Sequence, residues 1–367
     1  MIRAPSSGAV VPLQPSRPLI GPGTAVPAIP TTPAWGSVFV PTSYIGRFMS
    51  GSAALSSYNR FLSLLNLAKE KGCKALTVYL EVQNSGALTF SLSKFGILTI
   101  NLSEMTKEEM RTIMEKSAEL GIYLDLHAPW LSGAEGRGGA QEVKDKFSYP
   151  DPKNNPAIFK GILEFCELYK ETTGRKMELT IHTTGNPEDW ASWINQAGKH
   201  CVIQIENGFK YADMEQPKGA SYPADGFSYF NASRPYKQAE YLDWVKQLIR
   251  AVNNPVVEIR ALIDIAHAAA AENDPLAYLY FIRDAFKITD VTRIHLASVN
   301  LEGTILSQRD DHGKLPEFSR EAVVKQAQAL GRYGELAETI KLVFDHIEKL
   351  QQKNEFGITA ESKVYFA

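Results

Sequence analysis

Nine side chains of the kinds that bind divalent cations recur in short, similar settings along this sequence. They are His127 in LDLHAPW, His182 in LTIHTTG, Glu206 in VIQIENG, Asp264 and His267 in LIDIAHA, His295 in RIHLASVN, Asp310 and His312 in RDDHGKL, and Glu361 in GITAES. Imidazoles and carboxylates together suit zinc, manganese or iron, and the lack of cysteine in the set argues against a structural zinc knot. Carboxylates that converge without a cation repel one another and rise in pKa; cations between them remove that cost. Nine nitrogen and oxygen ligands exceed what one tetrahedral ion takes and suit two or three ions. Each residue alone has a plainer reading. A strand-end histidine can be a hydrogen-bonded core residue, Asp264 and His267 can pair locally, and Asp310 with His312 can belong to a solvated loop. Glu361 lies near the end of the sequence, where fraying is common. Recurrence is what carries weight: five of the seven histidines close a β-rich run or follow one, whereas His200 and His346 lie elsewhere.

To bring such residues together, the elements between them must return each run to the same side of the molecule. Short β-rich runs alternate with amphipathic helical stretches, the pattern of a parallel-sheet α/β protein. Strands are expected near 37–45, then over Lys74–Leu80, Ile122–Leu126, Met177–Ile181, Val202–Ile205, Val257–Ile265, Arg293–Ala297 and Gly357–Ala360. Helices are expected over Ala53–Lys71, from Ser103 to Leu120, and over Asn155–Thr172, Asp189–Ala197, Gln238–Val252, Pro275–Phe286 and, as one long region, Arg320–Gln352. Gly72 and Gly121 read as helix stops. Eight β/α units predict a (β/α)₈ TIM barrel, in which active sites form where strands end and βα loops begin. An open doubly wound sheet is the alternative, but no G-x-G-x-x-G or G-x-x-x-x-G-K-[ST] follows any strand.

Composition sets the outer bounds. The 367 residues are 44% hydrophobic, enough for a barrel-sized core, and the formal net charge of −2 excludes a globally basic nucleic-acid coat. Cys73, Cys166 and Cys201 form no CxxC pattern, which predicts buried thiols and a reducing, cytoplasmic setting rather than a disulfide scaffold. No apolar run is long enough to cross a membrane as a helix. Residues 1–36 hold eight of the 20 prolines, which predicts an extended or disordered arm ahead of a barrel domain over 37–367. The stretch Asn207–Lys237 holds seven aromatics in 31 residues and should overhang the barrel mouth, to stack bases or sugars, to act as a lid, or to pack on itself.

The ordered set HAPW, IHTTG, IENG, LIDIAHA, IHLASVN, RDDH and TAES resembles the xylose-isomerase-like barrels, and most closely the endonuclease IV family of abasic-site nucleases. The resemblance spans roughly Tyr44 to Ala367. It implies three zinc ions on His127, His182, Glu206, Asp264, His267, His295, Asp310, His312 and Glu361. Glu206 would bridge two ions and act in catalysis, Asp264 and His295 would join it in the buried part of the cluster, and Asp310 and His312 would hold the third ion. It also implies that Trp130 and Leu131 wedge into DNA. The chain differs from the family's pattern at Thr183-Thr184, where a Pro-Gly is usual, and at Ala297-Ser298, where Asn-Asp is usual.

Three functions follow as expectations. The first is a metal-dependent phosphodiester hydrolase that cleaves DNA at abasic sites with a metal-bound hydroxide, with zinc (two or three ions), manganese or iron as cofactor. The second is a single-metal isomerase or epimerase of a small sugar, using Glu206, Asp264, His295 and Glu361. The third is a non-catalytic barrel that binds without turning over.

Overall fold

The helix stops and caps in the sequence divide the chain into the elements seen in a computed structural model, which describes residues 38–41, 55–80, 100–129, 151–211, 233–297, 317–353 and 355–360. The proline-rich arm of residues 1–36 lies outside the described residues. In chain order the elements begin with β1 (Val38–Pro41), α1 (Ser57–Glu70), β2 (Ala75–Tyr79), α2 (Lys107–Leu120), β3 (Tyr123–His127), α3 (Pro156–Thr173), β4 (Met177–His182), α4 (Pro187–Ala197) and β5 (Cys201–Glu206). A short pair, β6 (Phe209–Tyr211) and β7 (Ser233–Pro235), precedes α5 (Gln238–Val252). The remainder is β8 (Ile259–Asp264), α6 (Ile265–Glu272), α7 (Tyr278–Ala285), β9 (Val291–Leu296), α8 (Arg320–Ala329), α9 (Tyr333–Gln352) and β10 (Gly357–Ala360).

Eight of these strands close into a parallel barrel in the order β1-β10-β9-β8-β5-β4-β3-β2, so the chain is a (β/α)₈ TIM barrel, as its alternation predicts. Only β6 and β7 stand apart among the described strands, as an antiparallel pair. Every barrel strand runs the same way, so the strand ends that carry His127, His182, Glu206, Asp264 and His295 share one rim. The register is direct: His182 lies opposite Glu206, and Asp264 opposite His295.

Several boundaries differ from the expectation, each for a local reason. The second helix begins after Thr106 rather than Ser103, because Thr106 and Glu109 form a reciprocal capping box; Leu102–Glu104 makes a separate 3₁₀ turn. The long region Arg320–Gln352 is two helices, broken where Gly331 takes a φ of +69°, a conformation that costs a side-chain-bearing residue. The run expected as strand to Ile265 stops at Asp264. The Asp264 side chain accepts the His267 N–H at 2.7 Å and so caps α6, a helix the sequence did not suggest.

Apolar faces of the helices pack outside the barrel around Phe61, Phe159, Phe165, Trp190, Tyr241 and Phe281, all buried. Each such side chain contributes about 1.5–3 kcal/mol by leaving water. The lumen is different. Strand alternation aims Asp125 and His127, Glu178 and His182, Gln204 and Glu206, and Arg293 and His295 toward the axis. Barrel interiors are usually filled by Val, Ile and Leu. Here Arg293, on β9, instead reaches across to Glu178 and, at 3.3 Å, to Asp125. Gln204 donates to Glu178 at 3.0 Å, completing a largely buried polar layer below the rim. Cys73, Cys166 and Cys201 are free, buried thiols, as expected. No helix among the described residues is long and apolar enough to cross a membrane.

Candidate metal centre

Glu206 ends β5 with its carboxylate buried among four imidazoles, three delivered by the strands β3, β4 and β9 and one, His267, by the first turn of α6. Its Oε2 lies 3.1 Å from His127 Nε2 and 3.2 Å from His182 Nε2. Its Oε1 lies 3.2 Å from His295 Nδ1 and 3.6 Å from His267 Nδ1. Each oxygen of one carboxylate therefore faces its own pair of rings. His267 Nε2 is in turn 3.7 Å from Asp264 Oδ2. Two groups have their ligand atoms close enough to hold a cation: His127, His182 and Glu206; and Glu206, Asp264 and His267. Glu206 belongs to both.

The donor chemistry fits cations. His127 Nδ1 lies 2.8 Å from the Ala128 carbonyl, which can only accept, so that nitrogen carries the hydrogen. Nε2 faces Glu206 Oε2 at 3.1 Å, where either a hydrogen on the nitrogen or a cation between the two atoms joins them. A shared cation satisfies both atoms. Ligand atoms on one tetrahedral zinc lie about 3.3 Å apart, and the four separations around Glu206 run from 3.1 to 3.6 Å. Burial pushes the His182 imidazole down to about 4, with Glu206 only partly opposing it, so the ring is neutral and able to ligate at neutral pH. Burial alone would raise the Glu206 carboxyl, but His295, His127 and His182 outweigh it and hold the group well below the usual carboxylate range.

Neighbouring residues fix these rings. Tyr79, at the end of β2, stacks flat on His127 with centroids 4.2 Å apart and planes 9° apart. Gly208 passes so close to His182 that a Cβ there would lie 3.2 Å from His182 Cδ2. Thr183 donates its hydroxyl to the Glu206 carbonyl at 3.4 Å, so one of the two threonines standing in place of Pro-Gly ties β4 to β5. Thr184 offers its carbonyl to Trp190 Nε1 at 2.9 Å, which anchors the turn to α4.

Of the residues singled out in the sequence, His127, His182, Glu206, Asp264, His267 and His295 come together at this rim, all buried. Asp310, His312, Glu361, Trp130 and Leu131 lie outside the described residues. So does residue span 212–232 of the aromatic stretch, whose described base is the β6–β7 pair. His200 sits at the surface near Glu167, and His346 lies on α9 against Phe286. Sequence reasoning assigned no part in the site to Tyr79, Asn207 or Gly208, and it noted Thr183 only as a departure from the family pattern. Asn207 and Gly208 stand in the IENG motif itself, and a polar residue inside an apolar strand end was the available signal.

No protein-family model matches the sequence, and no curated protein matches it. Among solved structures, the chain is similar to a sugar phosphate isomerase/epimerase from Parabacteroides distasonis, at 11% identity over 86% of this chain and 96% of that one, with a TM-score of 0.36. It is also similar to SacUVDE, at 11% identity over 88% and 100%, with a TM-score of 0.36. A third is a beta-N-acetylhexosaminidase from Bacteroides fragilis, at 8% identity over 91% and 74%, with a TM-score of 0.35. Likeness this distant carries no argument about chemistry, which rests on the side chains themselves.

Proposed function

We propose that this chain is a metal-dependent phosphodiester hydrolase that nicks DNA at abasic sites, as its resemblance to the endonuclease IV family implies. The observation that carries the reading is the two-sided setting of Glu206, with His127 and His182 on one oxygen and His295 and His267 on the other. A single-ion sugar isomerase or epimerase would use Glu206, Asp264, His295 and Glu361, and would leave His182, Asp310 and His312 without a task.

His127, His182, Glu206, Asp264, His267 and His295 would hold the ions, with Asp310, His312 and Glu361 completing the set. Divalent ions bound there supply polarisation of phosphoryl oxygens and a lowered pKa for water, the chemistry a phosphodiester needs. The chain's own residues set the stage for it. Glu206 stays ionised and keeps its two oxygens at a fixed spacing, so it can orient a water and accept its hydrogen bond. The Ala128 carbonyl and the Tyr79 ring hold His127 in one orientation, and Tyr79 keeps solvent from one of its faces. Trp130 and Leu131, three and four positions after His127 in the sequence, would wedge beside the extruded abasic nucleotide.

The test is a metal count on purified protein together with a labelled duplex carrying one abasic site. Two or more ions per chain and a single nick, abolished by chelator and by Glu206→Gln, are expected. One ion per chain, with turnover of a sugar instead, would move the assignment to the isomerase. Intact abasic DNA in zinc, manganese and iron alike would remove the nuclease.

A further inference from the structure

Asn207 follows Glu206 and is completely buried, yet it does not face the lumen with the ligands. Its side chain reaches across the β5–β8 seam to the backbone of Asp264. Oδ1 accepts the Asp264 N–H at 2.6 Å, and Nδ2 donates to the Asp264 carbonyl at 3.1 Å. The last paired residues of that seam are Glu206 and Leu262, after which β5 leads toward β6 and β8 turns into α6. The amide thus behaves as one more rung of the ladder, placed where the backbone no longer supplies one. Among side chains of this length only asparagine offers both a donor and an acceptor.

We infer that Asn207 is a positioning residue for the cation site: it sets Asp264 against Glu206. The inference rests on the two-ion reading above. The chain of contacts is short. Asn207 is bonded covalently to Glu206 and clamps both backbone groups of Asp264, whose carboxylate holds the His267 N–H at 2.7 Å. Disturbing Asn207 therefore disturbs the Glu206, Asp264 and His267 group. The His127, His182 and Glu206 group has other supports, namely the Ala128 carbonyl, the Tyr79 ring and the Thr183 hydroxyl. The seam does not depend on Asn207 for its existence. The Tyr241 hydroxyl, buried beneath it, lies 2.9 Å from the Ile205 carbonyl and 3.4 Å from that of Leu262. Loss of the clamp should leave a folded barrel with one weakened cation position.

The experiment titrates Zn²⁺ calorimetrically into the metal-stripped full chain and into Asn207→Leu and Asn207→Asp variants, alongside thermal melts of the metal-free proteins. In Asn207→Leu one equivalent should bind as in the unaltered protein while another weakens by about 10–100-fold, the usual effect of losing a group that orients a ligand. The metal-free melts should agree closely. Asn207→Asp keeps the acceptor and loses the donor. An added anion by itself would tighten cation binding, so weaker binding in this variant marks geometry rather than charge. Unchanged affinity for every equivalent in Asn207→Leu, or tighter binding in Asn207→Asp, overturns the assignment while leaving the two-ion reading intact. Equal loss of all equivalents with a collapsed melt means a structural role only. If Asn207→Leu does not fold, Asn207→Asp decides. An unaltered chain that takes up fewer than two ions overturns the two-ion reading itself, and this proposal with it.

Discussion

Below the candidate metal centre, the buried Asp125 and Arg293 and the half-buried Glu178 place three ionisable groups in a barrel stem that usually holds aliphatic side chains. Burial pushes the Asp125 carboxyl up to about 6, with Arg293 pulling it down and Glu178 pushing it further up. A carboxyl raised in the folded state stabilises the fold fully below its unfolded value, and that contribution is lost as pH rises through about 6. Asp125→Asn removes this dependence. The melting temperature of the variant minus that of the unaltered protein should therefore increase between about pH 4 and pH 6. A difference that stays flat over that range would show that Asp125 does not titrate as its surroundings dictate. The same scale explains what could be read in advance. A histidine or carboxylate closing an apolar run announces itself by type and place, which is how the six residues that meet at the rim could be singled out. Asn207 acts through a partner 57 residues away, and nothing near it in the sequence names that partner.

Helices carry the rim as much as strands do. Trp190 of α4 is buried between Phe159, Trp193 and Trp244, with ring centroids 5.2, 6.2 and 6.4 Å away, and it holds the Thr184 carbonyl just beyond His182. Trp190→Phe deletes that hydrogen bond and opens space in a packed cluster. We expect a loss of about 2 kcal/mol in denaturant unfolding. An unchanged unfolding midpoint would mean the cluster closes over the smaller ring without cost. Elements of this kind were legible where apolar spacing and a stop residue coincide, as in Gln238–Val252, whose observed bounds match the expectation. They were not legible where one residue does two jobs. Asp264 ends a strand, caps a helix and faces the cluster, so its strand and α6 run together with no turn residues to mark the join.

At the scale of the molecule, barrel closure is what turns separate strand ends into a site. β1 pairs with both β2 and β10, completing a ring on whose rim the ligands meet. On the reading proposed above, candidate ligands drawn from five strands would cross-link the barrel through the ions, and the unfolded chain would hold no such site. Zn²⁺ at a hundredfold excess over its dissociation constant should therefore raise unfolding free energy by about 2.7 kcal/mol for each ion bound. Chelator should reverse the gain, and Glu206→Gln should forfeit most of it. Identical melts with and without chelator would disconnect the cluster from metal. Closure also explains why fold class was easier to read than site detail: eight alternations suffice to imply a ring, whereas side-chain reach across it depends on register.

The antiparallel β6–β7 pair begins two residues beyond Glu206's neighbour Asn207, and Tyr236 N–H returns to the Gly208 carbonyl at 3.1 Å. The chain thus leaves and re-enters the rim through one zipped doorway. That pairing holds the Gly208 and Tyr236 backbones together beside Glu206, so a change of length between Tyr211 and Ser233 should leave their spacing unaltered.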